Sequence, residues 1–366
     1  MLGHFDQWGA SALGAAGMAL YPLLRPFIFR LGGEQAHDLT IAALKRLPSV
    51  QPPAPDPMLA IRVAGLDFPN PVGLAAGFDK DAQVYDRMPG FGFAEVGTLT
   101  PLPQAGNPKP RLFRLEEDRA VINRLGFNNG GQAAALERLR RRGPVLVGVN
   151  IGANKDSTDR VADYRLGVRA MAPVADYLTV NISSPNTPGL RALQDPAALA
   201  DLLAAVLTER GGAGPPPVFL KLAPDLERAD VDEIARVAIE GRVDGLIISN
   251  TTVSRPPLSS AHAGEAGGLS GAPLKPLALE RLRDFRAATG GALPLIAVGG
   301  IGSGADAYAR IRAGASLVQL YTALVYEGPG LPKRITCELK ALLARDRFAN
   351  VQQAIGADAG SRSFRA

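Results

Sequence analysis

Side chains that bind polar ligands recur where short apolar runs of this sequence end. Lys80 follows the first run, and a second lysine, Lys221, lies inside the apolar run Val218–Leu222. Asparagines occupy similar places in separate segments, at Asn123, Asn181, Asn186 and Asn250. An asparagine offers both donors and acceptors, which suits a flat heterocycle with alternating N–H and C=O groups. No carboxylate pair or nucleophile–histidine pair accompanies them, so the pattern favours binding of a polar, anionic ring over hydrolysis.

Lys221 lies between Leu220 and Leu222. An isolated ammonium is costly to bury, so a lysine inside a buried strand must be paired or functional. Two orientations are open: the side chain turns outward between helices, or it points toward a ligand. Alternation along a strand, which places Lys221 opposite its two leucine neighbours, allows the second orientation.

Glycines follow one of the last apolar runs, in the segment Gly299-Gly300-Ile301-Gly302, and Tyr321-Thr322 follows another. Bare backbone N–H groups at such a place can hold a phosphate. Glycines are also ordinary turn residues, so this segment alone leaves both interpretations open. A second glycine-rich segment, Gly268–Gly271, favours phosphate binding.

The elements that must position these residues follow a regular rhythm. Helix-like patterns, such as Pro196–Thr208 and Ala229–Glu240, fill most of the gaps between apolar, β-branched runs. Strands that alternate with helices form parallel βαβ units. Eight such units predict an α/β fold, a closed (β/α)8 (TIM) barrel with its active site at the carboxyl ends of the strands. The eight predicted strands are Pro71–Ala76, Ala94–Thr100, Val145–Asn150, Tyr177–Ile182, Val218–Leu222, Gly245–Asn250, Leu295–Gly300 and Leu317–Tyr321.

The segments on either side of the barrel set its boundaries. Residues 18–47 carry apolar residues at helical spacing and predict two short helices, and the proline string of residues 51–57 cannot continue a helix. We therefore predict a helical extension at residues 1–50, the barrel at 51–345 and a carboxy-terminal tail at 346–366 that frays from residue 349. A hairpin, Ile61–Val63 with Leu66–Phe68, is expected to plug the barrel floor.

Composition excludes several functions. The chain has 366 residues, one cysteine and three histidines, so a disulfide framework and a His-rich zinc site are both excluded, and we predict no metal. A net charge of +5 favours anionic partners. The densest basic cluster, residues 138–142, contains no aromatic side chains, which indicates a solvated helix end and not a nucleic-acid site.

The amino-terminal leader has no charged residue from Gln7 to Leu24. That length approaches a membrane span, but Gly9, Gly14 and Gly17 weaken it as a helix. Two interpretations remain, a packed leader and a segment that lies on a membrane surface.

The run Asn181-Ile-Ser-Ser-Pro-Asn-Thr-Pro-Gly-Leu-Arg191 resembles the signature loop of the dihydroorotate dehydrogenases. The resemblance spans roughly residues 21–344. It implies an FMN-dependent enzyme that oxidises dihydroorotate to orotate in pyrimidine (UMP) biosynthesis. Other segments that resemble the family in order and spacing are Ala76–Lys80, Asn123–Phe127, Lys221, Ser249–Thr251, Gly268–Gly271 and Tyr321–Thr322.

Two features resemble class 2, the quinone-reducing members of this family. Class 1 members are soluble and use a cysteine base, whereas the matching position here is Ser184, and Cys337 lies far along the chain. The helical extension, which includes Glu34 and Ala36-His37, resembles the pair of helices that precedes the barrel in class 2.

The resemblance also implies a role for each site residue. Ser184 takes the C5 proton of dihydroorotate, and Thr187 with an ordered water relays it. The C6 hydride passes to flavin N5, and Lys221 offsets the charge near flavin N1 and O2. The implied substrate contacts are Lys80, Asn123, Arg124, Leu125, Gly126, Phe127, Asn181, Asn186, Asn250 and Thr251. The implied FMN contacts are Ala76, Gly77, Phe78, Asp79, Lys80, Thr100, Asn150, Asn181, Lys221, Ser249, Gly271, Gly300, Tyr321 and Thr322.

Electron transfer to a membrane quinone follows from the class 2 resemblance. The two helices are expected to form an apolar tunnel to the flavin, with His37, Arg114 and Tyr321 at its quinone end. His37 as an ordinary packed histidine and Arg114 as a surface ion-pair residue are the alternatives. We expect a monomer bound peripherally to the cytoplasmic side of a bacterial inner membrane, without nucleic-acid partners.

Three rival functions remain to be distinguished. A soluble flavin barrel would pass electrons to fumarate or NAD, but Ser184 and the amino-terminal helices argue against it. A tRNA-modifying flavin barrel would suit the basic charge, but it typically uses a cysteine acid in its active loop. A non-catalytic barrel anchored at a membrane would bind a phosphate ligand without flavin chemistry.

Overall fold

A closed barrel of parallel strands forms the centre of the computed structural model, which describes residues 21–213 and 216–359. The barrel order is β3-β4-β7-β8-β9-β10-β12-β13, with β13 pairing back to β3, and each of its strands overlaps one of the eight predicted runs. The prediction of a (β/α)8 barrel is therefore confirmed. In chain order the strands are β1 (Ile61–Val63), β2 (Leu66–Phe68), β3 (Val72–Leu74), β4 (Phe93–Leu99), β5 (Leu112–Leu115), β6 (Ala120–Asn123), β7 (Val147–Ile151), β8 (Tyr177–Asn181), β9 (Val218–Leu222), β10 (Gly245–Ile248), β11 (Gly268–Gly271), β12 (Leu295–Val298) and β13 (Ala315–Leu320).

Helices cover the outside of the barrel. One of them, at Arg160–Met171, was not predicted, although Tyr164, Val168 and Met171 form a buried stripe at helical spacing. Asp159 caps its first turn by accepting a hydrogen bond from the Ala162 N–H at 3.0 Å. In chain order the helices are α1 (residues 21–28), α2 (Gly33–Leu44), α3 (Gly131–Leu139), α4 (Arg160–Met171), α5 (Pro196–Ala213), α6 (Arg228–Glu240), α7 (Lys275–Ala288), α8 (Gly304–Arg312), α9 (Thr322–Glu327), α10 (Leu331–Arg345) and α11 (Val351–Ala354).

Aromatic rings packed edge-to-face fill the amino-terminal end of the barrel. Phe68 of the β1–β2 hairpin packs edge-on against Phe93 at 5.0 Å, so the hairpin lies at the barrel floor. Tyr177 follows Phe93 at 6.3 Å, and Phe219 follows Tyr177 at 5.3 Å. Glycines on the neighbouring strands leave the room for these rings. A Cβ on Gly148, for example, would lie 2.0 Å from the Tyr177 ring.

The amino-terminal helices α1 and α2 are attached to the barrel by polar contacts. The Tyr21 hydroxyl donates to the Val325 carbonyl at 2.5 Å, and Glu34 of α2 pairs with Arg111 at 2.7 Å. The uncharged leader at residues 7–20 lies outside the described residues. Within residues 21–213 and 216–359, no helix combines the length and apolar character that crossing a bilayer takes.

A small antiparallel sheet, in the order β11-β6-β5, was not predicted. Phe113, Ile122 and Leu269 form its own apolar core, separate from the main core of the barrel. The segment Gly268–Gly271, expected as a glycine-rich loop, is the edge strand β11 of this sheet. Its pairing partner β6 is more than 140 residues away along the chain, so local sequence carries no signal for it.

The tail was predicted to fray from residue 349, and this prediction is wrong for the described part. Asn350 caps the short helix α11, whose Val351 and Ala354 side chains are buried. The Val351 N–H also donates to the Met58 carbonyl at 2.8 Å, which attaches the tail to the start of the barrel. Residues 360–366 lie outside the described residues.

Candidate active site

A cavity of about 760 Å³ opens at the carboxyl ends of the barrel strands. Its wall runs from the Gly299–Ser303 segment, across the strand ends, to the helices α1 and α2. A single space thus joins the glycine-rich turn, the polar strand ends and the amino-terminal extension. Such a continuous cavity can hold an elongated cofactor with a substrate at one end and an apolar ligand at the other.

The glycine-rich end of the cavity has the form of a phosphate cradle. Gly299 and Gly300 have φ angles of 109° and 71°, and a Cβ on Gly300 would lie 2.5 Å from the Lys275 Cα. Behind them the buried Arg310 donates hydrogen bonds to the Gly299 carbonyl at 3.0 Å and the Lys275 carbonyl at 2.8 Å. Helix α8 begins directly after this turn, capped by Ser303. The glycine backbone, the helix start and the nearby cations Lys275 and Arg310 fit a phosphate group.

Lys221 lines the floor of the cavity and is buried, with 5% of its surface exposed. None of the ion pairs among the described residues includes it. Burial lowers the pKa of its ammonium, and the charge of Glu95 acts in the opposite direction. A buried ammonium that faces a cavity fits a ligand that carries or develops negative charge.

Glu95 anchors a buried polar network inside the barrel. Its carboxylate accepts hydrogen bonds from Asn150 Nδ2 at 2.7 Å, Gln319 Nε2 at 2.8 Å and the Tyr177 hydroxyl at 3.1 Å. Asn150 in turn accepts a hydrogen bond from Asn181 Nδ2 at 3.0 Å. The network orients Asn181 at the cavity wall. Sequence reasoning missed Glu95, because an internal carboxylate is visible as a partner only once the barrel closes.

Ser183 continues this network to the next strand. Its hydroxyl donates to Asn181 Oδ1 at 2.8 Å and accepts a hydrogen bond from Asn250 Nδ2 at 2.9 Å. Asn250 Oδ1 accepts from the Thr251 N–H at 2.8 Å. Two of the predicted ring-binding asparagines are therefore held by one buried serine, which was not among the predicted site residues.

Ser184 lines the cavity and is 5% exposed. Its Oγ accepts a hydrogen bond from the Asn186 N–H at 3.2 Å, which orients the hydroxyl within its loop. Thr187 follows in the same loop but lies behind the cavity wall. Its hydroxyl is buried and makes no hydrogen bond within the described residues.

The segment Asn123–Phe127 forms the opposite wall of this end of the cavity. Asn186 Nδ2 donates to the Asn123 side-chain oxygen at 3.2 Å, so the two walls touch. Lys80 reaches the cavity between them. Burial lowers the pKa of the Lys80 ammonium, while the nearby carboxylates of Asp38 and Asp81 oppose that change.

His37 lies where the cavity meets helix α2. Its ring packs edge-on against Phe78 at 5.7 Å, and its Nδ1 lies 3.3 Å from the Tyr321 hydroxyl. Burial, and then the charge of Lys80, lower the pKa of His37 to about 3. The imidazole is therefore neutral at physiological pH. Apolar side chains of the helices continue the wall from here outward, among them Ile28, Ala36, Ala43 and Leu44, and Leu47 follows just beyond α2.

Arg114 also lines the cavity, and it closes the end of helix α1. Its Nη2 donates to the Phe29 carbonyl at 2.8 Å and also to the Leu31 carbonyl. Its guanidinium lies over the Phe29 ring, 4.6 Å from the centroid. Arg114 is therefore not the ion-pair surface residue that was one alternative.

Most of the predicted site residues line this one cavity, but five do not. Asp79 accepts hydrogen bonds from the backbone N–H groups of residues 83–85 and so holds a turn. Arg124 pairs with Glu265 at 2.7 Å, away from the cavity. The other three are Asn150, Thr187 and Thr100. Asn150 accepts a hydrogen bond from Asn181, and the Thr100 hydroxyl donates to the Leu102 carbonyl. Thr187 is in the Ser184 loop but does not line the cavity.

Several cavity residues were missed from the sequence. Thr98 lines the wall in place of Thr100, because the register of β4 shifts between Val96 and Leu99. Ser270 of β11 lines it too, and accepts a hydrogen bond from the Thr322 hydroxyl at 2.9 Å. A clearer signal existed for Ser303, which stands directly after the glycine-rich turn at a helix start.

A phosphate cradle, a buried lysine and a ring of amides at the mouth of a (β/α)8 barrel define a site of the flavin-dependent oxidoreductase type. The sequence comparisons specify the family. The dihydroorotate dehydrogenase family matches residues 58–343. The dihydroorotate dehydrogenase (quinone) of Sphingopyxis alaskensis is 64% identical over 347 residues, covering 93% of this chain and 98% of the relative. That of Novosphingobium aromaticivorans is 63% identical over 350 residues, covering 93% and 100%.

Solved structures agree with the sequence comparisons. A ligand-free DHODH from Eimeria tenella is 43% identical with a TM-score of 0.86, covering 89% of this chain and 99% of that one. The same protein in complex with ferulenol gives a TM-score of 0.85 at 43% identity, covering 89% and 96%. The chain belongs to the dihydroorotate dehydrogenase family, and this membership implies a flavin cofactor.

Proposed function

We propose that this protein oxidises (S)-dihydroorotate to orotate, with FMN as hydride acceptor and a membrane quinone as final electron acceptor, in de novo pyrimidine biosynthesis. One observation carries the proposal: Ser184, Lys221 and His37 line the same cavity. The cavity is thus lined by a proton acceptor (Ser184) and by a cation that suits an electron-rich ring (Lys221). At His37 it also meets the apolar side chains of the helices. The close relatives named dihydroorotate dehydrogenase (quinone) support the same assignment.

The residues present fit FMN. The Gly299–Ser303 turn would hold the phosphate, and Lys221 and Asn181 would hold the ring system. When bound, FMN supplies the acceptor for the substrate hydride. Lys221 stabilises negative charge with a preorganised ammonium, which costs no reorganisation at the moment of reaction. The other proposed cofactor contacts are Ala76, Gly77, Phe78, Lys80, Ser249, Gly271, Tyr321 and Thr322, with Asp79, Thr100 and Asn150 supporting them from outside the cavity.

The substrate would lie between the two touching walls. Asn123, Asn186 and Asn250 with Thr251 present donors and acceptors to the pyrimidine ring, and Lys80 attracts its carboxylate. Ser184 Oγ takes the C5 proton, and its own proton must leave, because a serine hydroxyl is a poor base at neutral pH. The Thr187 hydroxyl in the same loop would pass that proton on with an ordered water; this hydroxyl is buried and makes no hydrogen bond within the described residues, which supports the role.

The quinone would enter between α1 and α2 and meet His37, Arg114 and Tyr321. We assign residues 1–50 to this quinone-facing extension, residues 51–345 to the FMN barrel and residues 346–366 to the tail. Leu23, Phe27 and Leu39 are 68%, 63% and 58% exposed, and these apolar side chains on α1 and α2 are suited to a bilayer surface. The protein would act as a monomer bound peripherally to the cytoplasmic face of the bacterial inner membrane, without nucleic-acid partners.

An anaerobic flavin titration tests the proposal. Dihydroorotate should bleach the oxidised-flavin absorbance of the purified protein, and a quinone should restore it, whereas fumarate and NAD should not. A protein without flavin, or a flavin that dihydroorotate leaves oxidised, would refute the assignment.

The Ser184→Ala variant tests the role of the proposed base. Because it removes only the proton acceptor, we expect it to retain FMN and to bleach at least about 100-fold more slowly. Ser259→Ala makes the same chemical change at an exposed position outside the cavity and should bleach at the wild-type rate. Equal rates in both variants would exclude Ser184 as the base.

A further inference from the structure

Two residues, Asn107 and Gln104, donate hydrogen bonds to every carbonyl of the wall segment at residues 124–127. Asn107 donates to the Arg124 carbonyl through Nδ2 at 3.0 Å and to the Leu125 carbonyl through its backbone N–H at 3.0 Å. Gln104 Nε2 donates to the carbonyls of Gly126 and Phe127, both at 3.1 Å. These hydrogen bonds fix the backbone of the segment, whose residues Leu125, Gly126 and Phe127 line the cavity.

Asn107 also reaches the opposite wall. Its Nδ2 donates to the Asn186 carbonyl at 3.2 Å, in the loop that carries Ser184. Lys155 Nζ donates to Asn107 Oδ1 at 3.0 Å. A lysine donor on one side and two carbonyl acceptors on the other determine which end of the amide is oxygen and which is nitrogen. One amide group therefore bridges both walls of the substrate end of the cavity.

The loop that carries Asn107 is attached in turn to helix α2. Arg111 donates to the Asn107 carbonyl at 2.8 Å and to the Ala105 carbonyl at 2.6 Å, and it pairs with Glu34 at 2.7 Å. Arg111 is 7% exposed and these bonds engage both ends of its guanidinium. The buried Arg111 thus holds the Asn107 loop from the outside and restricts the movement of Asn107.

We propose that Asn107 is a positioning residue that sets the spacing between the Asn123–Phe127 wall and the Ser184 loop, and thereby the affinity for the pyrimidine ring. The inference rests on the proposed function. Asn107 does not line the cavity. Its effect acts through the walls, because a proton acceptor loses efficiency when it is displaced by about 1 Å from a ring held by another segment.

Asn107→Asp is the sharpest test, because it replaces the Nδ2 donor by an oxygen and keeps the size and the Lys155 contact. The Arg124 and Asn186 carbonyls, whose hydrogen bonds to Asn107 are partly buried, then face a carboxylate instead of a donor. We expect orotate affinity, read from the flavin spectrum, to fall about ten-fold or more. The KM for dihydroorotate should rise in parallel, while the KM for quinone stays within about two-fold of wild type. Asn107→Ala should weaken orotate binding in the same direction.

Lys155→Met is the matched control, since it removes the contact to Oδ1 and leaves both Nδ2 hydrogen bonds. It should bind orotate as the wild type does. In the protein without orotate, amide hydrogen exchange should speed up at residues 123–127 and 184–190 in Asn107→Asp and stay unchanged in Lys155→Met. Faster exchange across the whole barrel, or unchanged exchange with unchanged orotate affinity, would overturn the proposal.

The two proposals fail in different ways. A wild-type protein that neither binds orotate nor responds to dihydroorotate would refute the proposed function. The amide hydrogen exchange rates of residues 123–127 and 184–190 would still decide whether Asn107 holds the two walls together.

Discussion

Gly148 occupies a position in the barrel wall where even one methyl group has no room. A Cβ there would lie 2.0, 2.2 and 2.5 Å from three carbons of the Tyr177 ring, well inside ordinary contact of about 3.4–4 Å. Tyr177 is completely buried, with Phe93 on one side and Phe219 on the other. Gly148→Ala must therefore displace a ring that has no free space to enter.

The cost of this substitution has two parts. Overpacking a close-packed core costs about 1–3 kcal/mol. Moving the ring also breaks the hydrogen bond that the Tyr177 hydroxyl donates to Glu95 at 3.1 Å. Losing a hydrogen bond between buried groups costs about 1–3 kcal/mol. We expect the free energy of unfolding to fall by about 2–6 kcal/mol. FMN should also bind more weakly, because Glu95 orients Asn150 and, through it, Asn181 at the cavity wall.

Denaturant unfolding of the apoprotein and FMN titration measure the two effects. Gly143→Ala is the control, since nothing lies within 4 Å of a Cβ at Gly143. Tyr177→Leu should partly rescue Gly148→Ala, with a coupling of at least about 1 kcal/mol in the double-mutant cycle. If the free energy of unfolding of Gly148→Ala lies within about 0.5 kcal/mol of the wild-type value, the packing argument is wrong.

Three further predictions concern the cavity and the helices. Lys221→Met should weaken FMN binding and make the reduction potential of the bound flavin more negative. The same substitution should raise the denaturant midpoint of the apoprotein, because it removes a buried ammonium. A lower midpoint would contradict this. The pKa of His37 falls to about 3 in the folded protein from 6.5, so the unfolded chain binds more protons between these values. Stability should therefore fall as pH drops through that window, by up to about 1.4 kcal/mol per pH unit, and His37→Gln should lack this slope in pH-dependent unfolding. Leu23→Glu with Phe27→Glu should reduce binding to anionic vesicles in flotation and leave bleaching by dihydroorotate unchanged; undiminished vesicle binding would exclude these side chains as the membrane contact.

Local patterns in the sequence were sufficient to predict the barrel. Each parallel strand is buried on both faces and therefore reads as a short apolar run, such as Val218–Leu222 or Tyr177–Ile182. The strand ends predicted the cavity, because the carboxyl ends of all barrel strands meet on one side. The segment Asn181–Arg191 was long enough to indicate the family, which the comparisons confirmed.

Side-chain direction at irregular positions could not be read from the sequence. Thr98 and Thr100 both stand near the end of β4, and only the register shift in this strand turns Thr98 toward the cavity. Asp79 follows a strand end like its neighbour Lys80, but its carboxylate is bound by three N–H groups of the next turn. Proximity to a strand end is therefore not sufficient for a place in the wall.

The sequence by itself determined the eight barrel strands, most of the helices and most of the residues at the cavity mouth, because these depend on patterns within a few residues. The tertiary structure alone decided the supports behind them. Glu95 and Gln319 meet across 224 residues, and Asn107 meets Asn186 across 79. Neither pair leaves a local periodicity, since each contact forms only when the closed barrel brings distant segments together. The residues that hold the site in shape are therefore visible only after the chain has folded.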